Sequence, residues 1–289
     1  MSDDSGNSAP VLSIRDLTVA FGSKKRPTPI VTGVSLDLYP GRIQGLAGES
    51  GSGKTVTAMS VLGLLPKAAM LGGSIRLGET ELLGLGRRQL GRIRGRRVAM
   101  VFQDPSSSLH PQLTVGRQLT DHVRTHLEFS RERARARAVD LLERVRVPDA
   151  AEALARYPHQ FSGGQRQRIA IAIALACDPD VVLADEPTTA LDVTVQAGIL
   201  HLLRDLADER QLAVLLVTHD LGVMSAVADD VAVMRHGEIV ESGPREQIFT
   251  RPQHPYTREL LIALPESDIT GVTGTTATAE AAAGPEADR

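Results

Sequence analysis

The sequence predicts an α/β protein, and two observations lead to this class. Short apolar runs alternate with helical segments through the second half of the chain, which is the pattern of strand-helix-strand units. A glycine-rich loop at 48–55 also follows an apolar strand and precedes a helix. Such loops lie at the end of a central sheet, so we expect the rest of the chain to be arranged around this loop.

Composition is consistent with one large domain, or one domain with an inserted subdomain. The chain has 289 residues, of which 42% are apolar, and a formal net charge of −3. This charge gives no global basic field, so we expect no nucleic-acid partner. The single cysteine, Cys177, excludes an internal disulfide framework and is interpreted as a small buried apolar residue in a reducing compartment. Without a long apolar stretch or a secretion signal, the chain is expected to stay in the cytoplasm.

The N-terminal part is expected to form an antiparallel pair of strands. After a disordered lead at 1–10, residues 11–21 alternate between apolar and polar as a strand does, and residues 30–39 alternate again. The stretch 22–29 contains two prolines and three basic residues and is interpreted as the turn between them.

The glycine-rich loop fits the pattern G-x-x-x-x-G-K-[ST] and has a suitable context. Residues 41–47 are predicted to form a buried strand, and residues 55–65 a helix that ends before Pro66. In such a loop the backbone N–H groups face phosphates, the lysine reaches outward and the hydroxyl meets Mg²⁺. The residues concerned are Gly48, Glu49, Ser50, Gly51, Ser52, Gly53, Lys54 and Thr55.

A helical block interrupts the strand-helix alternation. Residues 72–78 and 96–102 are interpreted as strands, whereas 114–155 repeat with a helical period, so a helical subdomain is expected at about 106–175. Two basic stretches lie near this block and are interpreted as solvated faces rather than nucleic-acid-binding patches, with apposition to anionic lipid headgroups as a second interpretation of the first stretch. They comprise Arg87, Arg88, Arg92, Arg94, Arg96 and Arg97, and then Arg131, Arg133, Arg135 and Arg137.

The second half returns to alternating strands and helices. Ser162 is a plausible N-cap for a helix that runs into an apolar stretch ending at Cys177. Strands are expected at 181–187, 212–217 and 231–235, helices at 193–209 and 221–228, and a hairpin with two short helices at 236–265. Residues 266–289 are expected to be a disordered tail.

Polar side chains follow the predicted strands where ligands bind in open α/β sheets. Asp185 ends one strand and is expected to hold Mg²⁺ through water, with Thr55 as a direct ligand. Because Glu186 is the next residue, an extended chain directs it the opposite way, where it can act as general base on water. His219 is expected to contact the γ-phosphate, and Gln103 the metal or the water. These groups would support phosphoryl transfer to water.

These motifs together resemble the nucleotide-binding domain of ABC transporters over residues 11–265. The resemblance depends on 48–55, Gln103, 181–186, 190–192 and His219, and above all on the signature Ser162, Gly163, Gly164 and Gln165. It implies a P-loop NTPase core of the RecA-like kind, with an antiparallel β subdomain and an inserted helical subdomain. It also implies ATP and Mg²⁺ as cofactors.

Roles for further residues follow from the same resemblance. Phe21 corresponds to the aromatic residue that stacks on adenine, and Thr57 is counted with the nucleotide-binding residues. Gln103 lies in the loop that senses the membrane partner, Asp192 in the loop that crosses to the other subunit, and His219 is the switch histidine.

The resemblance also implies partners. Two such domains pair head to tail, so that ATP on Lys54 of one is enclosed by 162–165 of the other. A helix N-terminus such as the signature can donate N–H groups to a γ-phosphate. The second ATP-binding subunit, identical or different, would work with two membrane permeases and an extracellular binding protein, at the cytoplasmic face of the cell membrane.

A closer likeness is to the ATPase subunits of dipeptide, oligopeptide and nickel importers. It is carried by 60–66, 101–105, 157–164, 184–196 and 254–258. Many peptide members have a later cysteine-bearing segment that holds an iron–sulfur cluster, and this chain has no cysteine after Cys177, so no cluster is expected. That difference shifts the expectation slightly towards nickel or metal chelates. His110 also stands where the family usually has asparagine, in the loop expected to meet the permease.

Three other functions are considered. A soluble ABC-type ATPase acting on ribosomes or DNA usually has two cassettes or a long coiled-coil insertion, and this chain has one phosphate loop, one signature and an insertion of ordinary length. A regulatory cassette that does not hydrolyse ATP is disfavoured by Glu186 and His219. Export is also possible, but a separate cassette with the 254–258 motif favours import.

Overall fold

A computed structural model describes residues 9–23, 25–189 and 191–263. Three parts of the chain discussed above lie outside these ranges: residues 1–8 of the expected lead, Ala190, and the expected tail at 266–289. The strands are β1 (Leu12–Ser23), β2 (Arg26–Leu38), β3 (Ile43–Ala47), β4 (Met70–Leu77), β5 (Thr80–Glu81), β6 (Val98–Val101), β7 (Val181–Asp185), β8 (Ala213–Thr218), β9 (Asp230–Arg235) and β10 (Glu238–Pro244). The helices are α1 (Lys54–Val61), α2 (Arg87–Ile93), α3 (Pro105–Ser108), α4 (Val115–Leu127), α5 (Arg131–Arg144), α6 (Ala150–Ala153), α7 (Gly163–Ala174), α8 (Val193–Arg210), α9 (Leu221–Val227), α10 (Arg245–Thr250) and α11 (Pro255–Ile262).

The main sheet has six strands in the order β10-β9-β3-β8-β7-β6. Strands β9, β3, β8, β7 and β6 are parallel, and β10 pairs antiparallel with β9 at one edge. The carboxyl ends of β3, β7 and β8 therefore meet along one edge. The phosphate loop follows β3, Asp185 is the last residue of β7, and His219 follows β8. This confirms the α/β class.

Both faces of the main sheet are buried, which explains why its strands are continuously apolar. Along β8, Val214 and Leu216 pack into the core beneath the helices, whereas Leu215 and Val217 pack into a second core against the smaller sheet. This alternation follows from the two-residue period of a strand.

The smaller sheet is antiparallel, with the order β2-β1-β4-β5. The structure corrects the expected turn at 22–29, because β1 and β2 continue to Ser23 and Arg26 and pair Gly22 with Pro27. Proline lacks a backbone N–H, and β2 lies at the edge of the sheet, where a strand tolerates this.

Helices α3 to α7 occupy the chain between β6 and β7. Helix α4 begins at Thr114, whose hydroxyl accepts the Arg117 amide, and α5 begins at Ser130, whose hydroxyl accepts the Arg133 amide. These caps satisfy amides that lack a partner in the first turn.

Helix α1 ends at Val61, four residues before the sequence-based limit of 65. Gly63 adopts φ +58°, a conformation that ends a helix, and its amide bonds to the carbonyl of Ser60. The sequence predicted that the helix would end before Pro66, but it ends before Gly63 instead.

The first basic stretch is partly structural rather than only solvated. Arg94 donates to the carbonyls of Leu62 and Gly63 at 2.7 and 2.9 Å, which holds the end of α1. Arg97 pairs with Asp180 at 2.7 Å, at the start of β7.

Candidate active site

The phosphate loop connects β3 to α1 and is closed around the side chain of Lys54. Nζ of Lys54 donates to the carbonyls of Gly48 and Glu49 at 2.7 and 2.8 Å, and the residue is 4% exposed. Burial lowers the pKa of Lys54, although the carboxylates of Glu186, Asp185 and Glu49 oppose this change. The loop therefore carries a desolvated ammonium group that would gain from a phosphate.

Two loop positions require glycine. Gly48 has φ +145°, and a Cβ there would lie 2.1 Å from the carbonyl oxygen of Met234. Gly53 has φ +106°, and its Cβ would lie 2.9 Å from the carbonyl oxygen of Ile30. Both backbone conformations are strained for other residues, and both positions lack space.

Residues from the C-terminal third also hold the loop. The Gly237 amide, in the turn between β9 and β10, donates to the Ser52 carbonyl at 3.0 Å. The Glu49 amide donates to the hydroxyl of Tyr256 at 3.2 Å. Sequence reasoning assigned neither residue to the site, because these contacts join positions that are far apart in the chain.

Thr55 and Asp185 form the oxygen pair expected for a metal. The Thr55 hydroxyl donates to Oδ1 of Asp185 at 3.1 Å, and Asp185 is 5% exposed. Burial raises the pKa of Asp185, whereas the hydrogen bond from Thr55 and the charge of Lys54 lower it. Mg²⁺ prefers oxygen ligands and usually keeps several of its waters, so a hydroxyl would hold it directly and a neighbouring carboxylate through water. The donor set therefore suits this ion.

Glu186 begins a turn directly after β7. It adopts φ +46°, and its amide donates to the Val217 carbonyl on β8 at 2.8 Å. The sequence argument assumed that Asp185 and Glu186 both lie on an extended strand, and this assumption was wrong. The strand ends at Asp185, and Glu186 has a left-handed backbone conformation. The two carboxylates do have different partners, as expected.

Three side chains converge on the carboxylate of Glu186. Gln103 Nε2 donates to Oε2 at 2.8 Å, the Thr189 hydroxyl donates to Oε2 at 3.0 Å, and Nδ1 of His219 lies 2.9 Å from Oε1. Burial raises the pKa of Glu186, but the hydrogen bonds from His219 and Thr189 outweigh it and hold the pKa below its ordinary value. The group is therefore ionised at neutral pH.

Thr189 was not identified from the sequence. It follows the Asp-Glu pair in a Pro-Thr-Thr turn, and hydroxyls in such turns usually bond locally. The signal that could have found it is its spacing of three residues from Glu186.

A cavity of about 750 Å³ lies between the phosphate loop and the side chains around Glu186, and Asp185 does not line it. This size is in the range of small-molecule sites. The lining residues are Ile30, Glu49, Ser50, Gly51, Gly53, Lys54, Thr55, Val56, Gln103, Glu186, Thr189, His219 and Leu260.

Two residues that were expected to contact the nucleotide, Thr57 and Phe21, do not line this cavity. Thr57 is fully buried, and its hydroxyl donates to the Gly53 carbonyl at 3.0 Å, so it stabilises the first turn of α1. Phe21 pairs with Thr28 on the smaller sheet and packs beside its core. Neither residue lines the cavity, and the apolar side chains that do are Ile30, Val56 and Leu260.

The signature residues lie at the start of α7 and do not line this cavity. The Ser162 hydroxyl accepts the Gln165 amide at 3.3 Å, and the Gln165 side chain accepts the Ser162 amide at 3.0 Å, which forms a capping box. A Cβ at Gly164 would lie 2.5 Å from Val195 on α8, whereas a Cβ at Gly163 would only contact Leu191 at 3.5 Å. Asp192 caps α8 by accepting the Val195 amide at 3.0 Å. The signature therefore lies against Leu191 and Val195 at the start of α8, the helix that Asp192 caps.

Within the described ranges 9–23, 25–189 and 191–263, no helix combines the length and apolarity that crossing a bilayer requires.

The fold and the phosphate loop define the chain as a P-loop nucleoside triphosphatase. The profile described as ABC transporter matches residues 31–189, and the profile described as oligopeptide/dipeptide transporter, C-terminal region, matches residues 240–285. The chain belongs to the ABC transporter family and is an ATP-hydrolysing transport subunit of it.

Its relatives include a putative peptide import ATP-binding protein of Brucella abortus, 50% identical over 90% of this chain and 79% of the relative. The dipeptide transport ATP-binding protein DppD of Bacillus subtilis is 48% identical over 90% of this chain and 78% of its own length. Among solved structures, the dimeric post-hydrolysis state of the ATP-binding cassette MJ0796 bound to ADP and Pi is 27% identical. It covers 81% of this chain and 98% of its own, with a TM-score of 0.71.

Proposed function

We propose that this chain binds ATP with Mg²⁺ in the cavity at the end of the main sheet and hydrolyses it to drive uptake of peptides through separate membrane permeases. The observation that carries the proposal is the convergence of Gln103, Thr189 and His219 on Glu186, beside the Thr55–Asp185 pair. A water-activating carboxylate next to a metal-suited oxygen pair is the arrangement that phosphoryl transfer to water needs.

The phosphates would be held by Lys54 and the amides of 48–55. Lys54 now bonds to two loop carbonyls, and a bound phosphate would take over these contacts at the N-terminus of α1. Thr55 would hold Mg²⁺ directly, Asp185 through water, and Gln103 through its amide oxygen. The ion, when bound, neutralises charge on the phosphate oxygens.

Glu186 would accept the proton of the attacking water. Its lowered pKa keeps it ionised, and three of its roughly four lone-pair positions are already occupied by neighbouring groups. One lone-pair position on Oε1 is therefore left for the proton of the attacking water. His219 and Gln103, which bond to the carboxylate, are both exposed and would face the γ-phosphate side of the site.

A second cassette would complete the site. The chain's own signature does not line its cavity, and it presents the N-terminus of the 12-residue helix α7. Val193, next to Asp192, is an apolar residue with 82% exposure and would be covered by such a partner. In the dimer, Ser162, Gly163, Gly164 and Gln165 would close over the neighbour's ATP, and Asp192 would cross to it.

This chain has an apolar groove of about 240 Å³ between the main sheet and the helical block, and a permease element would fit there. Phe102 lines it at 37% exposure, directly before Gln103, and Leu109 lines it next to His110. A permease element seated there would contact the loop that carries Gln103, whose amide bonds to Glu186. Docking would thus reach the catalytic carboxylate through one residue, with the chain peripheral at the cytoplasmic face of the cell membrane.

Peptides are the proposed cargo because the Brucella and Bacillus relatives are named for peptide and dipeptide transport. An extracellular binding protein would deliver the peptide to the two permeases. Nickel or metal chelates are the alternative cargo that the test below distinguishes from peptides. Action on ribosomes or nucleic acid is not favoured by these relatives.

The test is to purify the chain from membranes and identify its partners. We expect two permeases and a second cassette, and ATP hydrolysis that rises when the binding protein is supplied with a peptide. Stimulation by nickel chelates but not by peptides would reassign the cargo, and recovery with ribosomes would contradict the transport function.

A further inference from the structure

The C-terminal helix α11 contacts the phosphate loop through one face. Tyr256 and Leu260 are four residues apart and so lie on the same side of the helix. Tyr256 is 1% exposed, and its hydroxyl accepts the Glu49 amide at 3.2 Å. Leu260 lines the cavity with the loop residues. Ile262, by contrast, is 84% exposed and does not line it.

The position of Tyr256 is fixed from several sides. The carboxylate of Glu241 on β10 accepts the amides of Gln253 and His254 at 2.7 and 3.0 Å, which anchors the start of α11. His254 caps the helix by accepting the Tyr256 amide at 3.1 Å. The guanidinium of Arg235 lies over the Tyr256 ring, 4.5 Å from its centroid. The hydroxyl therefore reaches Glu49 from a rigid support.

The bond to Glu49 acts on the peptide group that also contacts Lys54. This group comprises the Gly48 carbonyl and the Glu49 amide. Its amide donates to Tyr256, and its carbonyl accepts from Nζ of Lys54 at 2.7 Å. Because a peptide group is planar, Tyr256 fixes the orientation of the carbonyl that holds Lys54.

Leu260 is one of three apolar side chains that line the cavity. The phosphate-binding groups are Lys54 and the loop amides, whereas Ile30, Val56 and Leu260 supply the apolar side chains of the cavity. A nucleoside has apolar faces that such side chains can cover, and a triphosphate alone has none.

We propose that α11 is part of the nucleotide site, with Tyr256 as a positioning residue for the phosphate loop and Leu260 as a contact to the nucleoside. The proposal rests on the proposed ATP site, and it assigns different roles to the two residues on one face of the helix. It predicts that loss of the Leu260 side chain lowers the affinity only for ligands that contain a nucleoside. Loss of the Tyr256 hydroxyl should lower the affinity for every ligand of the phosphate loop.

The experiment measures the affinities of the full chain for ATP and for inorganic tripolyphosphate, each with Mg²⁺, by calorimetry. Leu260→Ala should lower the affinity for ATP by about threefold to tenfold and leave the affinity for tripolyphosphate unchanged. Ile262→Ala is the matched control on the same helix and should change neither affinity. Tyr256→Phe, which retains the ring beneath Arg235, should weaken both ligands by about threefold to tenfold. Tyr39→Phe, in a residue that follows β2 and does not line the cavity, should change neither.

Unchanged ATP affinity in Leu260→Ala, or an equal loss for both ligands, would overturn the nucleoside contact. Unchanged tripolyphosphate affinity in Tyr256→Phe would overturn the positioning role. If the unaltered chain bound neither ligand, the proposed ATP site itself would fail, which is a different result from either of these. A thermal melt of each variant checks that it is folded.

Discussion

The carboxylate of Glu186 lies 2.9 Å from Nδ1 of His219, and the two residues follow neighbouring parallel strands, β7 and β8. The backbone reinforces this pairing, because the Glu186 amide donates to the Val217 carbonyl on β8. The geometry of this proposed catalytic pair is therefore set by strand pairing in the main sheet.

The signature serine can be tested apart from its role as a helix cap. Ser162→Ala removes the hydroxyl that caps α7, and Ser130→Ala removes the equivalent cap of α5. Each should lower the free energy of unfolding by about 1 kcal/mol. Only Ser162→Ala should also impair ATP hydrolysis, since only that hydroxyl is expected to meet a neighbour's nucleotide. Equal hydrolysis in the two variants, measured alongside denaturant unfolding, would remove Ser162 from the shared site.

The metal role of Thr55 can be tested through the Mg²⁺ dependence of hydrolysis. Thr55→Val keeps the shape of the side chain but removes the oxygen that bonds to Asp185. We expect the Mg²⁺ concentration for half-maximal activity to rise by about tenfold or more, because even outer-shell contacts are worth 10–100-fold in metal affinity. Thr55→Ser retains the hydroxyl and should remain close to the unaltered chain. An unchanged Mg²⁺ requirement in Thr55→Val would contradict the assignment.

Cys177 should be unreactive in the folded chain. Burial, with a smaller contribution from Asp178, raises the pKa of this thiol to about 11. At pH 8 about one folded molecule in a thousand would then carry a thiolate, against roughly a quarter of unfolded molecules with a pKa near 8.5. Labelling with iodoacetamide at pH 8 should be slow until urea unfolds the chain, and fast labelling without urea would show that the thiol is accessible.

The same shift has a consequence for stability. Because the folded chain retains the Cys177 proton to a higher pH than the unfolded chain, this group's contribution to stability is complete below about pH 8.5. It is lost as the pH rises towards 11. Cys177→Ala should remove that part of the pH dependence.

Local sequence patterns predicted the elements of the fold well because their causes are local. Apolar strands, the N-cap at Ser162 and the phosphate loop are each recognisable within a few residues. The end of α1 was misplaced because Gly63 and Pro66 both signal a stop, and only the structure shows which acts first. The turn at 22–29 was overestimated because edge strands tolerate proline.

The site was predictable where its residues carry characteristic chemistry. Lys54, Thr55, Asp185, Glu186, Gln103 and His219 all lie at or beside the cavity. Tyr256, Gly237 and Leu260 were missed as site residues, because their contacts with the loop depend on how the C-terminal part folds back on the main sheet. Thr57 and Phe21 were assigned to the nucleotide through resemblance; neither lines the cavity, and their contact with a nucleotide stays a prediction.

The central claim is that Glu186 is the group that activates water in an ATP-hydrolysing subunit. The direct measurement is single-turnover hydrolysis of Mg-ATP by Glu186→Gln in the complex purified with its membrane partners, alongside ATP affinity. Glu209→Gln, an exposed position at the end of α8, is the matched control and should hydrolyse ATP at the unaltered rate. We predict that Glu186→Gln still binds ATP and loses at least about 100-fold in hydrolysis rate. Hydrolysis at the unaltered rate in Glu186→Gln would contradict the account.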